Sequence, residues 1–134
     1  MEARYNEDNW VLNENGEPRQ VEGYNHSSLW LRVKGCEKVS VSISKNKVKP
    51  ILLTEDILLK CPQFEKWEGV WRIEIDEDLY LRGDIYKSGF NTAIDEFDVL
   101  GDRETVRFRT FKYLHDLQNF IYNPETGEEL NIQL

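Results

Sequence analysis

Cysteine and histidine are scarce in this chain, with two of each in 134 residues. Cys36 and Cys61 lie in different segments, so they supply neither a disulfide framework nor a zinc site. Free thiols in a reducing cytosol are the expectation they set. His26 and His115 are too few for a metal site visible in the sequence. No apolar run approaches the roughly 20 residues needed to cross a bilayer, and the polar, acidic residues 1–8 do not read as a signal peptide. A Gly-rich phosphate loop, a nucleophile elbow and a metalloprotease helix motif are all missing. The sequence-visible enzyme classes built on those motifs therefore lose their support. Internal repeats, low-complexity tracts and linkers are missing too.

Aromatic residues are plentiful: four Trp, six Tyr and six Phe argue against disorder. A hydrophobic fraction of 40% and a mean hydropathy of -0.63 fit a soluble globule. At this length one domain over residues 1–134 is expected, with a barrel-like β subdomain at 1–52 and a helix, meander and C-terminal helix at 53–134. The net charge of -8 is unevenly placed. Residues 1–50 hold eight Lys/Arg against seven Asp/Glu, whereas residues 51–134 hold nine against eighteen. A half with a surplus of nine negative charges counts against nucleic-acid binding by the whole chain, since neutralising phosphates needs positive surface.

The clearest amphipathic pattern lies in residues 111–130. Phe111, Leu114, Leu117 and Ile121 recur at helical spacing, with Tyr113 and Phe120 widening the stripe. Lys112, Asp116, Asn119 and Asn123 fall opposite and are expected to be exposed. Thr110 reads as the N-cap and Pro124 as the stop. The turn Asn123-Pro124-Glu125-Thr126-Gly127 then leads into a short strand or extended tail over 128–134.

Upstream, residues 1–8 read as a loose arm. Strands are expected at 9–13, 19–23, 29–33, 39–43 and 48–52, the last an edge because of Pro50. Asn15-Gly16 marks a hairpin turn. Val39, Val41 and Ile43, alternating with Ser40, Ser42 and Ser44, give the cleanest period-two signal. Five short strands with tight turns predict a small, curled, SH3-like or OB-like antiparallel sheet. Thr54 caps a helix of about two turns that Pro62 ends. Residues 64–69 read as a loop, and 70–109 as an antiparallel meander. The fold class is α+β, with the C-terminal amphipathic helix packed on the sheet.

The run Leu53-Thr54-Glu55-Asp56-Ile57-Leu58-Leu59-Lys60, followed by Tyr113-Leu114-His115-Asp116-Leu117-Gln118-Asn119 and by Thr126-Gly127-Glu128-Glu129-Leu130, resembles a pattern in small proteins encoded by phages and mobile elements of gut Bacteroidetes. The family pattern is Leu-Thr-Glu-Glu-x-Leu-Leu-Lys, then Tyr-Val-His-x-Leu-Gln-Asn, then Leu-Thr-Gly-Glu-Glu-Leu. Two stretches depart from it. Cys61-Pro62-Gln63-Phe64 stands where the family has a Gly-Phe turn, and Asn123-Pro124-Glu125 interrupts a stretch the family keeps apolar. The resemblance implies a biological context and a fold, and no activity.

Several groups are candidates for chemistry or binding. Glu74, Asp76, Glu77 and Asp78 form the densest acidic run, and Asp95, Glu96 and Asp98 a second; residues 125–129 carry a third. The acidic runs lack the alternate spacing and bend glycine of a calcium loop, and so read as solvated turns. Held on a meander, they could instead converge into a field that steers a basic partner. Alternation puts Asp95 and Phe97 on one face, opposite Glu96 and Asp98. His115 and Gln118, one turn apart, suit either recognition or hydrogen bonds to an adjacent strand. Asp116 is not expected to orient His115, because neighbours on a helix point about 100° apart. Lys34, Lys38, Lys45, Lys47 and Lys49, with Trp30 turned away from Leu29, Leu31 and Val33, could line a basic groove or protect strand edges. Trp67 is a further candidate contact.

Together these features favour a non-catalytic, acidic, cytoplasmic protein that binds another macromolecule, a host or phage protein of unspecified identity. An acidic inhibitor that mimics nucleic acid is the first alternative, and nucleic-acid binding through the Lys-rich strands the second. No cofactor, no metal and no membrane is implied, and oligomeric state is not legible.

Overall fold

Short alternating segments must pair to satisfy their backbone groups, and in this chain they do so in two separate sheets. The computed structural model describes residues 4–134. Their contacts gather into two compact units, each taking chain from two places.

The first unit runs up to Leu52 and includes Tyr113–Phe120. Its strands are β1 (Trp10–Leu12), β2 (Pro18–Tyr24), β3 (Ser28–Val33), β4 (Cys36–Ser44) and β5 (Lys49–Pro50), with a 3₁₀ turn at Lys45–Lys47. The antiparallel order is β4-β3-β2-β1-β5. The first hairpin forms because Asn13 Oδ1 accepts from the Asn15 and Glu17 N–H groups, both at 3.0 Å, while Gly16 takes a positive φ. Val11, Val21, Leu29, Leu31, Val48 and Tyr5 form the core, with Ile43 packed on it. Pro50 sits in β5, whose only partner strand among the described residues is β1, so its missing N–H breaks no ladder.

The second unit comprises Leu53–Lys112 and Ile121–Leu134. Here α1 (Glu55–Leu59) precedes β6 (Glu65–Trp67), β7 (Val70–Asp76), β8 (Leu79–Tyr86), β9 (Gly89–Phe97) and β10 (Arg103–Phe111). These five strands form an antiparallel meander in sequence order. Thr54 Oγ1 accepts from the Ile57 N–H at 3.3 Å, the cap expected for α1. Leu53, Leu58, Phe64, Trp71, Ile73, Leu81, Phe90, Phe111, Leu130 and Ile132 are buried. The tail is extended rather than a strand, and is fastened by Gln63, which donates to the Glu129 carbonyl and accepts from the Asn131 N–H.

Several expectations are corrected. The C-terminal helix is α2 (Leu114–Ile121), three residues shorter at its start than the apolar stripe. Phe111 fits that stripe but is the last residue of β10, paired with Phe90. Thr110 is therefore no cap: it lies in β10 and donates to Asn91 Oδ1 at 2.6 Å. Leu114 and Leu117 are buried as expected, whereas Ile121, Asp116 and Asn119 are all half-buried. Residues 64–69 are not a loop throughout, because Glu68 and Gly69 both take positive φ and close a tight hairpin between β6 and β7. Val39 and Val41 are exposed, despite the regular alternation around them. Of the predicted loose arm, residues 1–3 lie outside the described residues, while Tyr5 is buried and Asp8 is bonded to Val21 and Arg32.

One glycine sets how closely β8 and β9 run. A Cβ on Gly83 would lie 2.0 Å from the Asn91 carbonyl oxygen and 3.0 Å from the Thr92 Cα. Backbone cannot yield as a flexible side chain does, so Gly83→Ala should destabilise by about 1–3 kcal/mol, the usual cost of overpacking. Gly23→Ala, at a position with nothing within 4 Å, should change stability by about 0.5 kcal/mol or less. Urea midpoints of the two variants check this; equal midpoints would contradict the close approach.

Candidate functional site

Register decides which side chains of the second sheet share a face. Thr105, Asp95, Tyr80 and Glu74 form one cross-strand row, and Arg107, Ala93, Arg82 and Arg72 the next. These rows lie opposite the face that buries Trp71, Ile73 and Leu81. Asp95 is fully buried. Its Oδ2 lies 2.7 Å from Arg82 Nε, a close ion pair rather than an aligned hydrogen bond, and its Oδ1 accepts from the Thr105 hydroxyl at 2.5 Å. Beside it, Arg72 stacks at 4.4 Å over both Trp67 and Tyr80, Arg103 lies 5.0 Å from Trp67, and Phe97 meets both rings edge-on. Trp67 is thus half-buried in a guanidinium–aromatic stack.

Next to this stack is a cleft of about 450 Å³. Ala93 and the backbone of Gly83 leave the space, and Arg82, Arg107, Thr105, Asn91 and Asp84 line it. Asp84 is engaged locally, its Oδ1 accepting from the Ile85 N–H at 2.9 Å. Beyond the cleft, residues 103–110 are exposed along the whole of β10 before Phe111. Val106 is 60% exposed, and Val99 and Leu100 stand almost fully in solvent at the tip of the β9–β10 hairpin.

Two of the acidic runs meet at one end of the second sheet. The Phe97 N–H donates to the Asp78 carbonyl at 2.9 Å, which brings the Asp76-Glu77-Asp78 turn to the end of β9 beside Glu96 and Asp98. Their carboxylates are partly committed, however. Asp76 Oδ1 accepts from the Glu77 N–H, Glu74 from the Tyr80 hydroxyl, and Asp98 Oδ1 from the Leu100 and Asp102 N–H groups. Asp95 is buried against Arg82 and presents no carboxylate to solvent. The third run is held elsewhere, through Gln63 and the Glu129 carbonyl.

In the first unit Trp30 is half-buried on β3, on the face of Arg32, Ser40 and Ser42. Arg32 is closed off by ion pairs with Asp8 at 2.6 Å and with Glu22, and Lys47 lies 3.8 Å from Glu14. An apolar cleft of about 290 Å³ opens among Leu31, Val33, Val41 and Ile43. Gln118 ties helix to strand: its Oε1 accepts from the Trp10 N–H at 2.9 Å and its Nε2 donates to the Asp8 carbonyl.

His115 is 1% exposed, between the rings of Tyr5 and Tyr113. Contrary to expectation, its own neighbour Asp116 reaches it, with Oδ1 3.3 Å from Nε2. Both residues lie in the first turn of α2, which begins at Leu114. The Cys61 thiol is pushed up to about 12 by burial, which makes it a poor nucleophile. Among the described residues no group of three His, Cys, Asp or Glu side chains is placed to hold a metal ion, and no helix is long and apolar enough to cross a membrane.

Compared with protein-family models, curated proteins and solved structures, the chain matches none.

Burial holds the His115 imidazole below its ordinary 6.5, with Asp116 pulling the other way. The unfolded chain therefore takes up this proton near pH 6.5 and the folded chain only at lower pH. Stability from this group is complete above about 6.5 and falls as pH drops toward the folded value. Urea unfolding at pH 7.5 and 5.5 should show a smaller loss in His115→Gln than in the parent. An identical slope in both would show that the imidazole is not held neutral.

Proposed function

We propose that this chain is a non-catalytic protein that binds another protein, and that the β9–β10 hairpin of the second unit is its contact surface. The observation that carries this reading is β10 itself. It is a nine-residue edge strand, exposed over eight residues, with Val106, Val99 and Leu100 open to solvent. A register shift between Arg107 and Thr110 kinks its far end, but the regular stretch from Arg103 to Arg107 is neither shortened nor covered, as monomeric proteins usually arrange. An uncovered apolar rim on an edge strand is what strand-addition partners use.

Supporting features stand beside it. In the first unit, β1 to β4 follow as successive hairpins, β5 returns to β1, and the 3₁₀ turn precedes β5; this favours an SH3-like reading over an OB-like Greek key. The Trp10 N–H donating to Gln118 Oε1 and Asn9 Nδ2 donating to Asn119 Oδ1 favour a helix packed on that sheet. A phage or mobile-element origin and a cytoplasmic setting fit the motif resemblance and the two free thiols. Nucleic-acid mimicry is the weaker reading, since Asp95 is neutralised and Asp98 caps a turn. Nucleic-acid binding through the lysines is weaker still, because carboxylates close off Arg32 and face Lys47.

A photo-crosslinking residue at position 106 or 99, expressed in the native host, tests the proposal. One discrete protein adduct should form from both positions and none from position 39, an exposed β4 site in the first unit. Absence of an adduct at 106 and 99, or equal adducts at 39, would contradict it.

A further inference from the structure

We infer that the partner presents an extended segment with acidic residues at alternate positions. This segment adds to β10 as a sixth strand and sets one carboxylate against the exposed Arg107 guanidinium. This rests on the protein-binding reading above and specifies the chemistry of the partner.

Charge selects the occupant. The second unit lies in the strongly acidic part of the chain, yet β10 carries Arg103, Arg107 and Arg109 against Glu104 alone. Of these, Arg103 is held by Glu68 at 2.9 Å and Arg109 lies over Phe111. Arg107 is exposed and, among the described residues, makes no ion pair. A second copy of this chain is a poor occupant. In a symmetric antiparallel pairing along the regular part of β10, centring on Thr105 would set Arg103 against Arg107, and centring on Arg107 would set that residue against itself. Like charges directly opposite destabilise a strand pair. An acidic strand meets complementary charge in each of these registers.

Geometry places the carboxylate. Arg107, Ala93 and Arg82 occupy one row on adjacent strands. Arg82 lies two strands in from β10, so a side chain of the added strand meets Arg107 and not Arg82. Thr105 and Asn91 add polar groups at the rim of the cleft. Asp84 lies one row further along, opposite Asn91, and turns an incoming acid toward the Arg107 end. On the other face of β10, Val106 offers an apolar contact to the alternate residues of the partner strand.

The probes are three synthetic peptides of about eight residues, long enough to span β10. One alternates Glu with Val, one alternates Lys with Val, and one is the Glu/Val peptide N-methylated at alternate amides. Binding is read by amide chemical shifts of the full chain. The Glu/Val peptide should shift residues 103–110 and bind about ten-fold or more tighter than the Lys/Val peptide, with affinity falling as salt rises. Arg107→Glu, which leaves the buried Arg82–Asp95 pair intact, should abolish or reverse that preference while the remaining spectrum stays folded. The N-methylated peptide should not bind, because it cannot complete the ladder. Equal binding by the Lys/Val peptide overturns the acidic partner, and equal binding by the N-methylated peptide overturns strand addition. Shifts confined to the first unit, or no binding, overturn both parts. A protein cross-linked from position 106 without any Glu/Val preference would remove this inference and leave the protein-binding reading in place.

Discussion

A carboxylate buried in a β-sheet must be answered by charge and hydrogen bonds, and Asp95 is answered from both neighbouring strands. Arg82 reaches it from β8 and Thr105 from β10. A pair like this adds little net stability, because desolvating both ions offsets most of their attraction. Removing one partner is far more damaging, since it strands the other charge. The pair therefore acts mainly as a register pin: a slip by one residue would carry Asp95 into the face that holds Trp71, Ile73 and Leu81. With the register set, Arg82 is aimed beside Ala93, and the rows of arginine and aromatic side chains fall into place.

The second sheet has two edges, and the chain treats them differently. At one edge β6 is only three residues long, and its Trp67 is covered by two guanidinium groups. At the other, β10 is nine residues long and exposed. Arginines on an edge discourage indiscriminate pairing, as edge lysines do. The same charges then choose among partners, admitting an acidic strand and opposing a basic one. Glu104 stands directly opposite Glu96 in the register, a like-charge pair that disfavours that one position of the ladder. Protection from aggregation and selection of a partner thus arise from the same few residues.

Much of the local structure was legible in the sequence, because turns and caps act over short range. Asn15-Gly16 announced the first hairpin and Thr54 the cap of α1, while the Asn13 side chain that fastens that hairpin was not singled out. Legibility failed where two patterns satisfied the same residues. Phe111 fits the helical stripe of Leu114 and Leu117 and equally the inner face of a strand; its pairing with Phe90 chose the strand. Val39 and Val41 alternate as an inward face should, but β4 is the edge of its sheet and leaves them exposed. Asp116 reaches His115 despite their sequence adjacency, a contact that spacing on a helix does not announce. The cleft was not legible at all. Arg82, Ala93 and Arg107 come from three strands, and only the register brings them into one row.

The most direct measurement is amide hydrogen exchange along β8, β9 and β10 in the free protein at two concentrations. An open edge leaves the outward N–H groups of β10 without partners, so alternate residues from Arg103 to Thr110 should exchange rapidly while β8 and β9 stay protected. That pattern should not change with concentration. Uniform protection of β10 matching β8, at either concentration, would mean that the edge is already covered and would contradict its use as a docking strand.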